Sequence, residues 1–267
     1  MNDISRISRL SFFKMSKYCY DRVHICDFSK TPRPHYCMGM ILKGKGVFAF
    51  ENEEVHVKHG DIIFVPEGSI YISTWSGDPD ILYTSAHFSF ESGSDFLRHK
   101  RIKIQKVRLT DIEKAKRYFV EMSDGCEGSK TEQFYAIGAF FNIIGMIFPK
   151  LIYTEINKID SQIEKSVEYI EQNYSENISV DKLADMSNMS VSHFHSRFKN
   201  SMGCSPIEYK HRVCIHRAEL MLIADKETSI EEISEALGFC SSTYFRRLFK
   251  KITGLSPRDY RYKSEEL

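Results

Sequence analysis

A protein-held metal takes three or four ligands, most simply two histidines spaced His-x-His on one strand face with a later Glu and His. The histidines available in the N-terminal half are His24, His35, His56, His59 and His87. His56 and His59 are three apart, so on a strand their rings point to opposite faces, and inward-facing Val55 and Val57 turn His56 outward. That spacing does not assemble a metal centre, and no metal or other cofactor is expected. The cysteines (Cys19, Cys26, Cys37, Cys126, Cys204, Cys214 and Cys240) are odd in number and contain no C-x-x-C pair. Reduced thiols are therefore expected, not a disulfide framework or a zinc ribbon. No nucleophile elbow, P-loop or dinucleotide fingerprint is present, so no catalytic residue is assigned. The expectation is a binding protein.

The basic side chains carry a stronger signal. Net charge over the chain is +1, and residues 160–267 carry 15 Lys+Arg against 17 Asp+Glu, a balance that by itself argues against nucleic acid. The distribution argues otherwise. Residues 241–263 hold seven basic side chains and one acid (Asp259), and residues 190–217 hold five and one (Glu208). The acids gather elsewhere, at Glu164, Glu168, Glu171, Glu231, Glu232 and Glu235. Positive charge is thus placed on two segments suited to phosphate.

Those segments are copies of one another. Residues 190–209 and 241–260 align at an offset of 51 with eight of twenty positions identical, among them Phe194/Phe245, Phe198/Phe249, Lys199/Lys250, Gly203/Gly254 and Pro206/Pro257. Preceding pieces at Ser179 and Ser229 match at an offset of 50, so the second copy's turn is one residue longer. Each copy reads as helix, tight turn, helix. Ser229 and Glu232 have capping-box spacing, and Gly238 stands where a left-handed residue ends the first helix. Ser205-Pro206 and Ser256-Pro257 open the following helices. Residues 207–224 then form one rod about 27 Å long at 1.5 Å per residue, able to hold two helix-turn-helix units against major grooves about 34 Å apart. With the phenylalanines inward, the outward faces are Ser192, His193, His195, Ser196 and Lys199 in one copy and Ser242, Thr243, Arg246, Arg247 and Lys250 in the other. Arg246 or Arg247 is expected to read a guanine edge, which accepts two hydrogen bonds from one guanidinium. Lys199 is expected on phosphate.

The rest of the chain must position these groups. At 267 residues, 42% hydrophobic and 27% charged, it is of ordinary soluble composition and long enough for two domains. The longest near-apolar run, 136–148, is too short for a membrane span of about 20 residues, and the N-terminus lacks a secretory apolar core. A cytoplasmic protein without membrane contact is expected. Between 32 and 90, apolar runs at 38–42, 47–50, 54–57, 62–65, 70–75 and 82–90 alternate with turn-like stretches at 44–46, 51–53, 59–61, 66–68 and 77–79, the pattern of a sandwich or small barrel. Helices follow, one with Thr110 and Glu113 as its capping box, the next over 131–148 with Phe134, Ile137, Phe140, Phe141, Ile144, Ile147 and Phe148 as an apolar stripe. Its width suits packing on the barrel or a dimer interface. Everything from 161 onward reads as helix. The boundary falls in the polar stretch 155–160, giving domains 1–155 (barrel about 20–100, helices about 110–150) and 161–267.

Residues 163–263 resemble the DNA-binding module of AraC/XylS-family bacterial transcription regulators. The match is carried by Leu183-Ala184, Phe198-Lys199, Gly203-Cys-Ser-Pro206, Tyr209, Ala218, Leu222, Ile233, Gly238-Phe239, Tyr244-Phe245, Phe249-Lys250, Gly254-Leu-Ser-Pro257 and Tyr260-Arg261. Three positions depart from it: Ser234 stands where Ala is usual, Cys214 where Arg is frequent, and Asn188 where the first turn often has Gly. Asn tolerates the left-handed conformation. The resemblance extends to the N-terminal half through Arg33-Pro34, Gly60-Asp61, Pro66-Glu-Gly68 and His87-Phe88, which are similar to a cupin-type barrel. It implies an α+β chain: a cupin-like β-barrel, a helical dimerisation segment, and an all-α domain with two helix-turn-helix motifs. It also implies a double-stranded DNA operator, a small-molecule effector such as a sugar, a homodimer, RNA polymerase as a partner, and activation as the usual sign of regulation.

Within such a barrel, strand parity sets Tyr71, Ser73 and Trp75 on one face and Tyr83, Ser85 and His87 on one face, with Arg33 at the mouth. Aromatic faces with hydroxyl, imidazole and guanidinium donors suit a sugar or related metabolite, and Arg33, Tyr71, Trp75, Tyr83 and His87 are the expected ligand-binding residues. An ordinary aromatic core remains the alternative. So do a barrel that only dimerises and a cupin metalloenzyme fused to a DNA-binding module.

Overall fold

In the computed structural model, which describes residues 10–90, 100–155 and 161–263, the N-terminal pattern folds as an antiparallel sheet. Its strands are β1 (Leu10–Asp27), β2 (Tyr36–Lys43), β3 (Lys45–Phe50), β4 (Glu53–Lys58), β5 (Ile62–Val65), β6 (Ile72–Phe90) and β8 (Gln105–Val107). They hydrogen-bond in the order β4-β3-β6-β2-β5-β8, with β1 also on β6. The path's ends, β4 and β8, approach each other, so the sheet is a nearly closed barrel. The short β7 (Lys100–Ile102) and β9 (Tyr153–Glu155) pair separately.

Two expected turns are bends instead. Lys43 faces Leu82 and Lys45 faces Ser76, so β2 and β3 run on past Gly44 in one direction, both antiparallel to β6. Residues 77–81 bulge out opposite Gly44, and β6 continues through the stretch 77–79. Gly44 has φ +81°, and a Cβ there would lie 2.9 Å from the Ser76 carbonyl oxygen. Glycine marks a strand bend as readily as a hairpin, and only the partner strand distinguishes them. The barrel also starts earlier than residue 20. Lys14, Lys17, Asp21 and Arg22 interrupt alternation within β1, so no period-2 pattern announces it.

Helix α1 (Ile112–Gly125) is capped by Asp111, whose carboxylate accepts from the Lys114 amide at 2.9 Å. The expected Thr110 cap is thus displaced by an equally strong capping residue one position on. Ser129 and Glu132 form the capping box of α2 (Lys130–Ile147). Ala136, Ala139, Phe140, Ile143 and Ile147 face inward, with Phe140 against Phe88 and Phe13 at centroid distances of 5.0 and 4.9 Å. Phe134 and Ile137 lie off that face; Phe134 is 77% and Tyr135 72% exposed.

The chain divides into two compact units, one of Leu10–Ser89 with Lys100–Glu155, the other containing the described residues from Ser161 onward. The second holds α3 (Ser161–Gln172), α4 (Val180–Met186), α5 (Val191–Met202), α6 (Pro206–Ala224), α7 (Ile230–Ala236), α8 (Ser242–Thr253) and α9 (Pro257–Lys263). Serines 179, 190, 205, 229 and 241 each cap a helix by accepting an amide of its first turn. The repeat produces two cores. Phe194 and Phe198 pack with Ile163, Val167 and Leu183; Phe245 and Phe249 pack with Ala218, Ile233 and Leu237. Asn188 and Gly238 occupy equivalent turns with φ of 52° and 76°, so the extra residue of the second copy lies after the left-handed position.

Candidate ligand cavity and nucleic-acid interface

The barrel interior is an aromatic column with a polar end. Trp75 stacks on Tyr83 (4.3 Å between centroids, 8° between planes), and Tyr83 stacks on Tyr18 of β1 (4.7 Å, 26°). The Trp75 indole donates to Ser73 Oγ at 3.1 Å. These rings leave a cavity of about 30 Å³, room for about one water. Its wall includes Ser73, Trp75, Tyr83, Ser85 and His87 from β6, Tyr71 just before it, and Arg33 from the β1–β2 loop. The structure therefore brings all five sequence-derived residues to one cavity. Ile70 and Ile72 have the other parity and are exposed. Thr84 and Ala86 are buried on the opposite side of β6, where Thr84 Oγ1 donates to the Ser16 carbonyl.

His87 is the centre of the polar end. Arg33 Nη1 lies 3.1 Å from its Nδ1, as does His35 Nε2. Ser85 Oγ and the Tyr18 hydroxyl lie 2.8 and 3.3 Å from its Nε2. A guanidinium only donates, so Nδ1 accepts and the ring proton sits on Nε2. Burial, reinforced by the Arg33 charge, holds the imidazole well below its ordinary pKa, and His87 is a neutral donor through Nε2. The Arg33 guanidinium itself lies 4.2 Å above the Phe28 ring. Burial likewise raises the phenols of Tyr71 and Tyr83 and the thiols of Cys26 and Cys37, so all four are neutral. Tyr18, Cys26, Phe28 and Cys37 on the cavity wall, and His35 behind His87, are not assigned to the site by sequence. The first two sit on β1, whose residues do not alternate, and the others lie outside β6, where alternation is regular. Among the described residues, no three His, Cys, Asp or Glu side chains converge as metal ligands.

In the helical unit, Ser192, His193, His195, Ser196 and Lys199 are exposed along α5. On α8, Thr243, Arg246, Arg247 and Lys250 are exposed and Ser242 is half-buried at the helix start. The two arginines differ. Arg246 Nη2 is held 2.6 Å from Glu231 Oε1 on α7, whereas Arg247 forms no ion pair among the described residues. Arg261, one of the basic residues of 241–263, donates to the carbonyls of Lys226 and Thr228 and so ties α9 to the α6–α7 loop. A cleft of about 300 Å³ beside the start of α8 is bordered by Lys210, His211 and Tyr244. No described helix is long and apolar enough to cross a membrane.

Two family models match the chain: an AraC-like ligand-binding domain over residues 21–97 and a helix-turn-helix domain over residues 183–263. The chain is 24% identical over 230 residues to the lactose operon transcription activator of Staphylococcus xylosus, covering 84% of this chain and 82% of that one. It is 25% identical over 247 residues to the raffinose operon regulatory protein RafR of Pediococcus pentosaceus, with 86% and 85% covered. Among solved structures it shares the fold of ToxT from Vibrio cholerae, with a TM-score of 0.53, 14% identity, and 94% and 98% of the two chains covered.

Proposed function

With the chain a member of the AraC family of helix-turn-helix transcription regulators, we propose that it switches metabolic genes in response to a sugar or related metabolite held in the barrel. The observation that carries this reading is the pair of helices α5 and α8, each with a buried phenylalanine face and an exposed polar face, flanking the 19-residue α6. In this reading residues 161–267 bind a double-stranded operator. Arg247 reads a base edge, Arg246 exchanges Glu231 for DNA, Lys199 and Lys250 contact phosphate, and Ser192, His195, Ser196, Ser242 and Thr243 add hydrogen bonds. Residues 1–155 hold the metabolite on Arg33, Tyr71, Trp75, Tyr83 and His87. The exposed Phe134 and Tyr135 of α2 meet a second copy, giving a homodimer in the cytoplasm that engages RNA polymerase. The relatives, regulators of lactose and raffinose operons, support a sugar as the signal and activation as the output.

The test is genome-wide mapping of bound DNA, followed by titration of the recovered site against scrambled DNA. Specific binding should be at least about a thousandfold tighter, and Arg246→Ala with Arg247→Ala should abolish the difference. No enriched sites, or equal affinity for both DNAs, refutes the reading. The small free volume favours a second reading, in which the barrel only dimerises. A metabolite that raises the melting temperature and changes Trp75 emission excludes it, because a ligand confined to the native state stabilises that state.

A further inference from the structure

The cleft of about 300 Å³ in the helical unit lies where the two repeat copies meet. One wall is α6, with Lys210, His211 and Cys214, and the other is the α7–α8 turn and the start of α8, with Ser241 and Tyr244. Lys210 Nζ donates to the Glu176 carbonyl at 2.6 Å and Cys214 Sγ to the Tyr174 carbonyl at 3.4 Å, both in the segment between α3 and α4. Arg247 and Lys251 follow Tyr244 by three and seven residues, so the three side chains form one row along α8. Arg247 also belongs to the outward polar face of α8, and the row is the edge of that face turned toward α6. Lys251 is exposed and, among the described residues, has no ion pair. Its charge and that of Lys210 bear on His211 from the two sides, opposed by Glu208, which the Ser205 amide holds at 2.8 Å. Burial and the lysines keep the imidazole below its ordinary pKa, so His211 brings a neutral N–H donor. Burial pushes the Cys214 thiol up to about 11, and it adds no negative charge. The exposed Tyr244, its ring 6.0 Å from that of His211, and the exposed Ser241 bring hydroxyls.

Cations on two sides with neutral donors between them suit an anion that offers several acceptor oxygens. A DNA strand engaged by Arg247 runs past this edge of α8, and each of its phosphates carries one negative charge. We propose that the cleft is a third DNA contact, between the two recognition helices, where a backbone phosphate sits with Lys210 and Lys251 on either side and accepts from His211, Ser241 and Tyr244. This rests on the operator-binding reading above. A phosphate contact positions the duplex and carries no sequence information, which separates the cleft from the role of Arg247 in reading a base.

The experiment measures the affinity of the full chain for the mapped operator and for a scrambled duplex across about 50–200 mM salt. Lys210→Gln and Lys251→Gln should each weaken both duplexes by the same factor, about tenfold, and lower the slope of log affinity against log salt by about one. Lys210→Arg, which keeps the charge, should retain the wild-type slope. Lys251 is exposed, so its substitution separates a lost phosphate contact from loss of the Lys210–Glu176 bond. Slopes unchanged in both Gln variants overturn the proposal and leave the operator reading standing, as does a loss confined to the operator. Inorganic phosphate and AMP are the probes for a free ligand. If either raises the helical unfolding transition of the wild type but not of Lys210→Gln, and the DNA slopes do not move, the cleft takes a free phosphate and not a strand. A wild-type chain that binds neither duplex overturns the operator reading and this contact with it.

Discussion

Gly238 offers a quantitative test of how the second helix-turn-helix is built. Its φ of +76° is left-handed, and a Cβ placed on it would sit 1.8 Å from the Ser175 carbonyl oxygen, in the segment between α3 and α4. Gly254 has nearly the same φ, +81°, but nothing within 4 Å of a built Cβ. Gly254→Ala therefore isolates the conformational cost, about 1 kcal/mol. Gly238→Ala adds the displacement of backbone across a packed interface, about 1–3 kcal/mol more, for a total of about 3 kcal/mol. Urea titration followed by helical circular dichroism at 222 nm gives both values by linear extrapolation. Trp75 lies in the barrel unit, so its emission follows barrel unfolding and should not shift in either variant. Because Gly238 precedes α8, operator affinity should fall for Gly238→Ala as well. Equal losses in the two variants would refute the claim that the approach of Ser175 demands glycine, and a shift of the Trp75 transition would refute the separation of the two effects.

Arg247→Ala should weaken operator binding by about 1–3 kcal/mol and relax the preference at one base pair, while Glu231→Gln should strengthen binding by releasing Arg246; anisotropy titrations that show no change in either would remove α8 from base reading. Ser234 is buried and, among the described residues, its Oγ has no hydrogen-bond partner, so Ser234→Ala should stabilise the helical unit by about 1 kcal/mol; a loss of stability in the urea titration would contradict this. Burial pushes Glu219 on α6 up to about 7, and His216, 4.0 Å away, down to about 4. The folded unit thus holds a proton on Glu219 that the unfolded chain releases at an ordinary carboxylate pKa, and this contribution to stability, complete below that pKa, is lost as pH rises to about 7. Glu219→Gln should accordingly raise stability at pH 8 by about 1–3 kcal/mol and leave it little changed at pH 4.5; equal effects at both pH values would show that Glu219 does not titrate as described.

Much of the helical unit is legible in the sequence because its determinants are local. Serine caps, Gly203 and Gly254 at helix ends, and Asn188 and Gly238 at the turns each act through backbone groups a few residues away, so spacing alone specifies them. The repeat adds a second copy of the same code, and Phe194, Phe198, Phe245 and Phe249 are inward in both copies. Parity along residues 70–75 is local in the same sense: it places Tyr71 and Trp75 opposite Ile70 and Ile72 whichever strand lies alongside. What spans the chain was not legible. Whether Gly44 turns or bends depends on β6, more than thirty residues on. Whether Tyr18 closes the aromatic column depends on β1 lying beside β6, although the charges along β1 hide its strand character. The difference between Arg246 and Arg247 depends on an acid on another helix. Local rules determine each element and its faces, because hydrogen bonds and side-chain sterics over a few residues repay the cost of ordering them. Which faces meet is decided by the joint burial of distant segments, and the cavity, its polar end around His87 and the Arg246–Glu231 pair that sets Arg246 apart from Arg247 exist only once those segments have met.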